Sequence, residues 1–219
     1  MQFNTAVVRS EGAILETNKL IKNTYILLSM TLMFSAVTAF LSIALQASQG
    51  SAFVATLVGI GMLWFVLPKT ANSATGIPVL FGITGLLGFG IGPLVGYYLA
   101  QDPAIVMTAL GGTGAIFLGL SGYALTTRKD FSFMGGFLMV GLLVVIGAAI
   151  LNIFFAMPAL FLALNAAIIM IMSGMILYQT SSLIHGGETN YIMATAGLFL
   201  SLLNMFTALL HLLGALGDD

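Results

Sequence analysis

The chain has 219 residues, 59% of them hydrophobic and 6% charged, with six basic residues against seven acidic ones. Soluble domains average roughly 45–50% apolar and about 25% charged residues, so too little charge is present here to coat a water-exposed surface. No basic patch points to nucleic acid, and with no cysteine there are no disulfides, thiolate nucleophiles or cysteine metal sites.

Residues 1–24 hold Arg9, Glu11, Glu16, Lys19 and Lys22 and predict a polar tail with at most a short helix near its end. No cleavable leader is expected, because the first long apolar run starts only near Tyr25 and no small-residue cleavage pattern follows it. Seven apolar runs then succeed one another. The first spans about Tyr25 to Leu45 and the second about Ser51 to Leu67, where Pro68 is expected to end it because proline cannot continue the hydrogen-bond ladder. The third covers about Gly76 to Leu99, longer than a ~30 Å hydrocarbon core needs at ~1.5 Å per residue. A tilt or a kink at Gly92-Pro93 accommodates the excess. The fourth run covers about Ala104 to Leu125, and the loop 126-TTRKDFS-132 after it is the most charged in the chain. The fifth runs from about Phe133 to Phe155, the sixth from about Ala159 to Gln179, and 180-TSSLIHGGETN-190 is expected as a polar connection. The seventh spans about Tyr191 to Leu213 and leaves a short end, 215–219, with Asp218 and Asp219.

Unbroken runs of this length span a bilayer as helices. A transmembrane barrel would instead alternate apolar and polar residues over segments of about 10. The predicted fold is therefore all-α: a tail (1–24), a seven-helix transmembrane domain (25–214) and a short C-terminal end (215–219). Lysine and arginine orient such a chain, since they are retained on the cytoplasmic side. With the N-terminus inside, all six basic residues and His185 fall on one side, and only Asp102 and the two terminal aspartates on the other. This predicts a cytoplasmic N-terminus and an external C-terminus.

Lipid supplies no hydrophobic force between helices, so small residues mark contact faces. Gly88, Gly92 and Gly96 recur at spacing four on the third run, and Gly111, Ala115 and Gly119 on the fourth. Those two faces are expected to pack on each other. Ionisable groups at membrane depth would mark a functional site, yet no acid lies well inside a run, and His211 falls near the outer end of the seventh. The amides and hydroxyls Asn152, Asn165, Gln179, Ser201 and Asn204 remain. Ser201, Asn204 and Ala208 share a helical face, and an unpaired amide in lipid costs several kcal/mol. A polar cluster of Gln179, Ser201 and Asn204 joining the sixth and seventh helices is the expected result. No catalytic pattern, metal motif or nucleotide loop emerges, and neither an enzyme nor a cofactor is expected.

The stretch 178-YQTSSLIHGGETNYIMATAGLFLSLLNMF-206, with 69-KTANS-73 and 126-TTRKDFSFMGG-136, resembles the signature of the Bax-inhibitor (transmembrane Bax inhibitor motif) family. The resemblance implies a seven-helix bundle with its last helix near the centre. Many members are thought to leak calcium under the control of two aspartates, and the matching positions here are Gln179 and Ser201, so neither acid is present. Two close carboxylates titrate as one coupled unit, and glutamine and serine cannot do so. The bacterial inner-membrane members imply a different role: substrate and modulator of the membrane-anchored ATP-dependent protease FtsH, in association with the HflK–HflC complex. In that role Arg9, Glu11, Glu16 and Lys19 belong to the end the protease would grip. A calcium or proton leak with altered or lost pH gating is the alternative.

Overall fold

A computed structural model describes the backbone of residues 2–217 and the side chains of residues 15–217. It is all-helical: α1 (Gln2–Ala44), α2 (Gln49–Gly61), a π-helical turn (Met62–Val66), α3 (Leu67–Thr70), α4 (Gly76–Gln101), α5 (Pro103–Thr127), α6 (Met134–Phe155), α7 (Pro158–His185) and α8 (Tyr191–Gly217). Seven helical segments among the described residues are long and apolar enough to cross a membrane, with α2, the π turn and α3 forming one of them. In hydrocarbon a helix satisfies every backbone N–H and C=O within itself, which is why such runs adopt no other form. The protein is thus a polytopic bundle of the seven-helix type.

Three boundaries differ from the sequence expectation. The first helix does not start at Tyr25: Leu20 and Ile21 already pack on the core, and Thr24 is fully buried, its hydroxyl donating to the Leu20 carbonyl at 2.9 Å. The second span does not stop at Pro68. The N–H of Leu67 reaches back five residues to the Met62 carbonyl. That wide turn absorbs the missing proline N–H and the bulk of its ring, and the helix resumes to Thr70. The sixth span does not end at Gln179 but continues to His185, where Gly186, at φ 75°, closes it in the left-handed conformation that glycine adopts freely.

The last helix is the centre. α8 packs on α7, α5, α1 and α4, and half of its most apolar stretch is buried, against 11% for α6. Phe199, Leu198, Met205 and Leu210 lie fully inside. α2 rests on α4, and α6 rests on α7, so these two form the outer wall. The exposed Phe53 of α2, Trp64 of the π turn, and Phe137 and Phe154 of α6 suit a lipid-facing surface.

The glycine faces pack differently from the expectation. The most extensive interhelical seam joins α4 to α1, not to α5. A Cβ at Gly88 would overlap the backbone and side chain of Ser35, and one at Gly92 would overlap Ser42. Gly96 has ordinary clearance from Ile43. On α5, Gly111 and Gly119 have nothing near them and are exposed. The spacing rule identified a close-approach face on α4, but the partner surface is the Ser/Thr/Ala side of α1, where Ser35, Ala39 and Ser42 are small enough to admit the α4 backbone.

Candidate functional site

A group of polar side chains, several of them buried, gathers at the end of the bundle where α3–α4, α5–α6 and α7–α8 connect. α7 supplies three consecutive side chains. Gln179 accepts at Oε1 from the Ser201 hydroxyl at 3.3 Å, and Ser201 also reaches the Gly197 carbonyl at 3.1 Å. Thr180 is fully buried between the Tyr25 hydroxyl of α1 at 3.2 Å and the Ser121 hydroxyl of α5 at 3.4 Å. Ser181 accepts from the Phe131 N–H at 2.9 Å and lies 3.3 Å from the Lys129 carbonyl, to which it donates. His185 donates through Nδ1 to the Ser181 carbonyl at 2.9 Å.

These bonds explain why α7 runs on through residues that look like a loop. A helix presents residues 179, 180 and 181 to three directions, about 100° apart. Here they meet α8, α1 with α5, and the α5–α6 connection in turn. Each hydroxyl finds a partner, which offsets the cost of taking it out of water.

The next connection is clamped the same way. Asn190 caps α8, its Oδ1 accepting from Ile192 N–H at 2.8 Å and Met193 N–H at 3.1 Å. Its Nδ2 donates across the bundle to the Ala71 carbonyl at 3.0 Å and to Asn72 Oδ1 at 2.7 Å. One side chain therefore ties the α3–α4 and α7–α8 connections together. At the α5–α6 connection Asp130 Oδ1 accepts from the Ser132 N–H at 2.8 Å. That backbone bond, with a smaller contribution from the Ser132 hydroxyl, holds the Asp130 carboxyl below its usual value.

The expected cluster of Gln179, Ser201 and Asn204 is only partly assembled. Gln179 and Ser201 are bonded, but Asn204, near the middle of α8, is exposed on the bundle surface while Ser201 and Ala208 are buried. Residues three apart on a helix lie about 60° apart around its axis, enough to turn Asn204 off the buried face. Asn165 and His211 form a second, separate link nearer the far end of α7 and α8. Asn165 Nδ2 donates to the Phe161 carbonyl at 2.8 Å, which leaves its Oδ1 to accept from His211 Nδ1 at 3.2 Å. The His211 ring also meets the rings of Phe161 and Tyr98 edge-on. Asn152 closes α6, its Oδ1 accepting from the Met157 N–H at 3.0 Å.

Of the tail residues, Glu16 and Lys19 are exposed, while the side chains of Arg9 and Glu11 fall outside the described residues. Sequence reasoning passed over Thr180, Ser181 and Asn190. The signal for Asn190 was present, since asparagine just before an apolar run is a capping pattern. Nothing local announced the two serine and threonine contacts, whose partners lie 50 or more residues away.

The model of the family described as inhibitor of apoptosis-promoting Bax1 matches residues 17–218. The chain is 49% identical over 208 residues to the modulator of FtsH protease YccA of Escherichia coli, covering 94% of both proteins. It is 47% identical to a membrane protein of Vibrio cholerae, over 94% of this chain and 93% of the relative. A protein of Pseudomonas aeruginosa is 41% identical over the whole of this chain and 97% of its own. With the seven-helix bundle, its central last helix and matches of this extent, the chain belongs to the Bax-inhibitor family of multi-pass, non-catalytic membrane proteins.

Proposed function

We propose that this protein is a regulatory partner of the membrane-anchored protease FtsH and of its HflK–HflC assembly, and not an acid-gated ion path. The observation that carries this reading is the Gln179–Ser201 hydrogen bond. It is a neutral link at the two positions where the family resemblance places aspartates. Neither side chain gains or loses a proton near neutral pH, so the pair holds α7 to α8 without a charge to switch it. The relative that bears the name modulator of FtsH protease, alike over nearly its whole length, supports the same assignment.

In this reading the N-terminal end faces the cytoplasm and the C-terminal end the periplasm. All the lysines and arginines then lie on the retained side. Arg9, Glu11, Glu16 and Lys19 form the segment that the protease engages. A bundle seamed by Gly88 and Gly92 resists extraction and occupies the enzyme.

Co-purification tests the partner: FtsH with HflK–HflC should be recovered with the full-length protein from membranes. Deleting residues 2–12 should lengthen its lifetime in cells with active FtsH, and unchanged turnover would overturn the role of that segment. Purified protein in liposomes should pass no calcium or protons above background at any pH. Robust flux without FtsH recovery would establish the leak instead.

A further inference from the structure

A groove of about 420 Å³ lies in the side of the bundle, walled by α1 and α5 and floored by α4 and α8. α1 and α5 meet through the stacked rings of Tyr25 and Phe117, 5.8 Å apart, and the groove parts them beyond that pair. Its outer lips carry the exposed Phe40 and Leu110, and its floor reaches Phe199, only 1% exposed, on the central helix. Gly114 on the α5 wall has no atom within 4 Å of where a side chain would begin.

Every lining residue belongs to a membrane-spanning segment. The only polar side chains on the wall are Ser35 and Thr113, and the Thr113 hydroxyl is already given to the Ala109 carbonyl at 2.7 Å. A trapped water needs two to four polar partners, which this wall does not offer, so the occupant is apolar. Location selects among apolar occupants. The exposed lips Phe40 and Leu110 lie on membrane-spanning segments, so the surrounding hydrocarbon is what meets the opening. A lipid acyl chain is the apolar object present at that place.

Charge selects the headgroup. The groove runs to Leu99 and Val106, which flank the α4–α5 connection at Asp102. Among the described residues, Asp102 is the one charged side chain on the connections at that end of the bundle. It is exposed, and Oδ1 is taken by the Ala104 N–H at 2.8 Å. A lipid bearing a primary ammonium complements that carboxylate, and an anionic glycerol headgroup is repelled by it. We propose that this groove is a binding site for one acyl chain of an amine-headed phospholipid, which enters between α1 and α5 and packs on Phe199 while its ammonium meets Asp102.

The chain has a single tryptophan, Trp64 in the π-helical turn. Trp64→Phe removes it, and Phe199→Trp then places a reporter on the groove floor. Phe117→Trp is the second reporter if the first does not fold. The protein is reconstituted in vesicles carrying a minority of bromine-labelled phosphatidylethanolamine or phosphatidylglycerol. Bromine on an inserted chain should quench the floor reporter, more strongly from ethanolamine than from glycerol lipid. Gly114→Leu, which grows into open space, should abolish the quenching, and Asp102→Asn, which keeps the α5 cap, should abolish the headgroup preference. Quenching that Gly114→Leu leaves unchanged would overturn the site, and equal quenching by both lipids would overturn the assigned headgroup.

Discussion

Ser201 on α8 gives its hydroxyl proton to the Gln179 side chain on α7 across 3.3 Å, and both groups stay uncharged throughout the physiological range. Replacing both by aspartate converts this link into a coupled pair of acids. The double variant Gln179→Asp with Ser201→Asp should lose melting temperature between about pH 5 and about pH 8, as two anions come to face each other. The parent protein should show no such slope over that range. Scanning calorimetry or fluorescence melting in detergent reads the difference.

Gly92 sits where any Cβ would strike Ser42, and Gly88 where it would strike Ser35. Gly92→Val or Gly88→Val should destabilise the bundle by about 1–3 kcal/mol, the usual cost of overpacking. Gly111→Ala and Gly119→Ala, facing open space, should be neutral or stabilising by up to about 1 kcal/mol through helix propensity alone. Unfolding titrations of the four variants in one detergent would show the contrast, and equal effects on both helices would refute the α1–α4 assignment of the seam.

Asn190 does two jobs that substitution can separate. Asn190→Asp keeps an oxygen to cap α8 but loses the donor to Ala71 and Asn72, whereas Asn190→Ala loses both. The alanine variant should cost about 0.5–2 kcal/mol more than the aspartate variant, the range for a lost N-cap. In both, amide exchange in residues 71–75 should quicken, because the connection they form has been untied.

The Asp130 carboxyl is held below its ordinary value by the Ser132 N–H and hydroxyl. A lowered acid binds fewer protons folded than unfolded, so its contribution is present above the unfolded value and lost as pH falls through the folded one. The side chain lies in solvent and the effect is local. Exchange at the Ser132 amide should therefore accelerate in acid beyond its intrinsic dependence, and Asp130→Asn should flatten that response.

The span number was legible because lipid permits one solution for a long apolar run, and composition alone reveals such runs. Helix ends were less legible. Residues 180–185 open with three hydroxyl side chains and read as a loop, yet they are helical because Thr180 and Ser181 find partners on α1, α5 and the α5–α6 connection. Pro68 read as a stop, and a π turn carried the helix past it. Glycine spacing showed that α4 has a close-approach face, but spacing carries no information about which helix fills it. The pairing of Gln179 with Ser201 followed from the family pattern, while the turn of Asn204 away from them depended on where α8 is rotated within the bundle.

The seat of α1 against α4 governs how the molecule yields to a pull. α1 is one uninterrupted rod, and its small side chains lock into the α4 backbone at Gly88 and again at Gly92. Tension applied at its N-terminal end acts along that seam, so the contacts are sheared together instead of being peeled one by one. Under force the unfolding rate is the quantity that counts, and a sheared seam makes it slow. A motor that pulls from this end meets its largest resistance at the first step, before any other helix has moved.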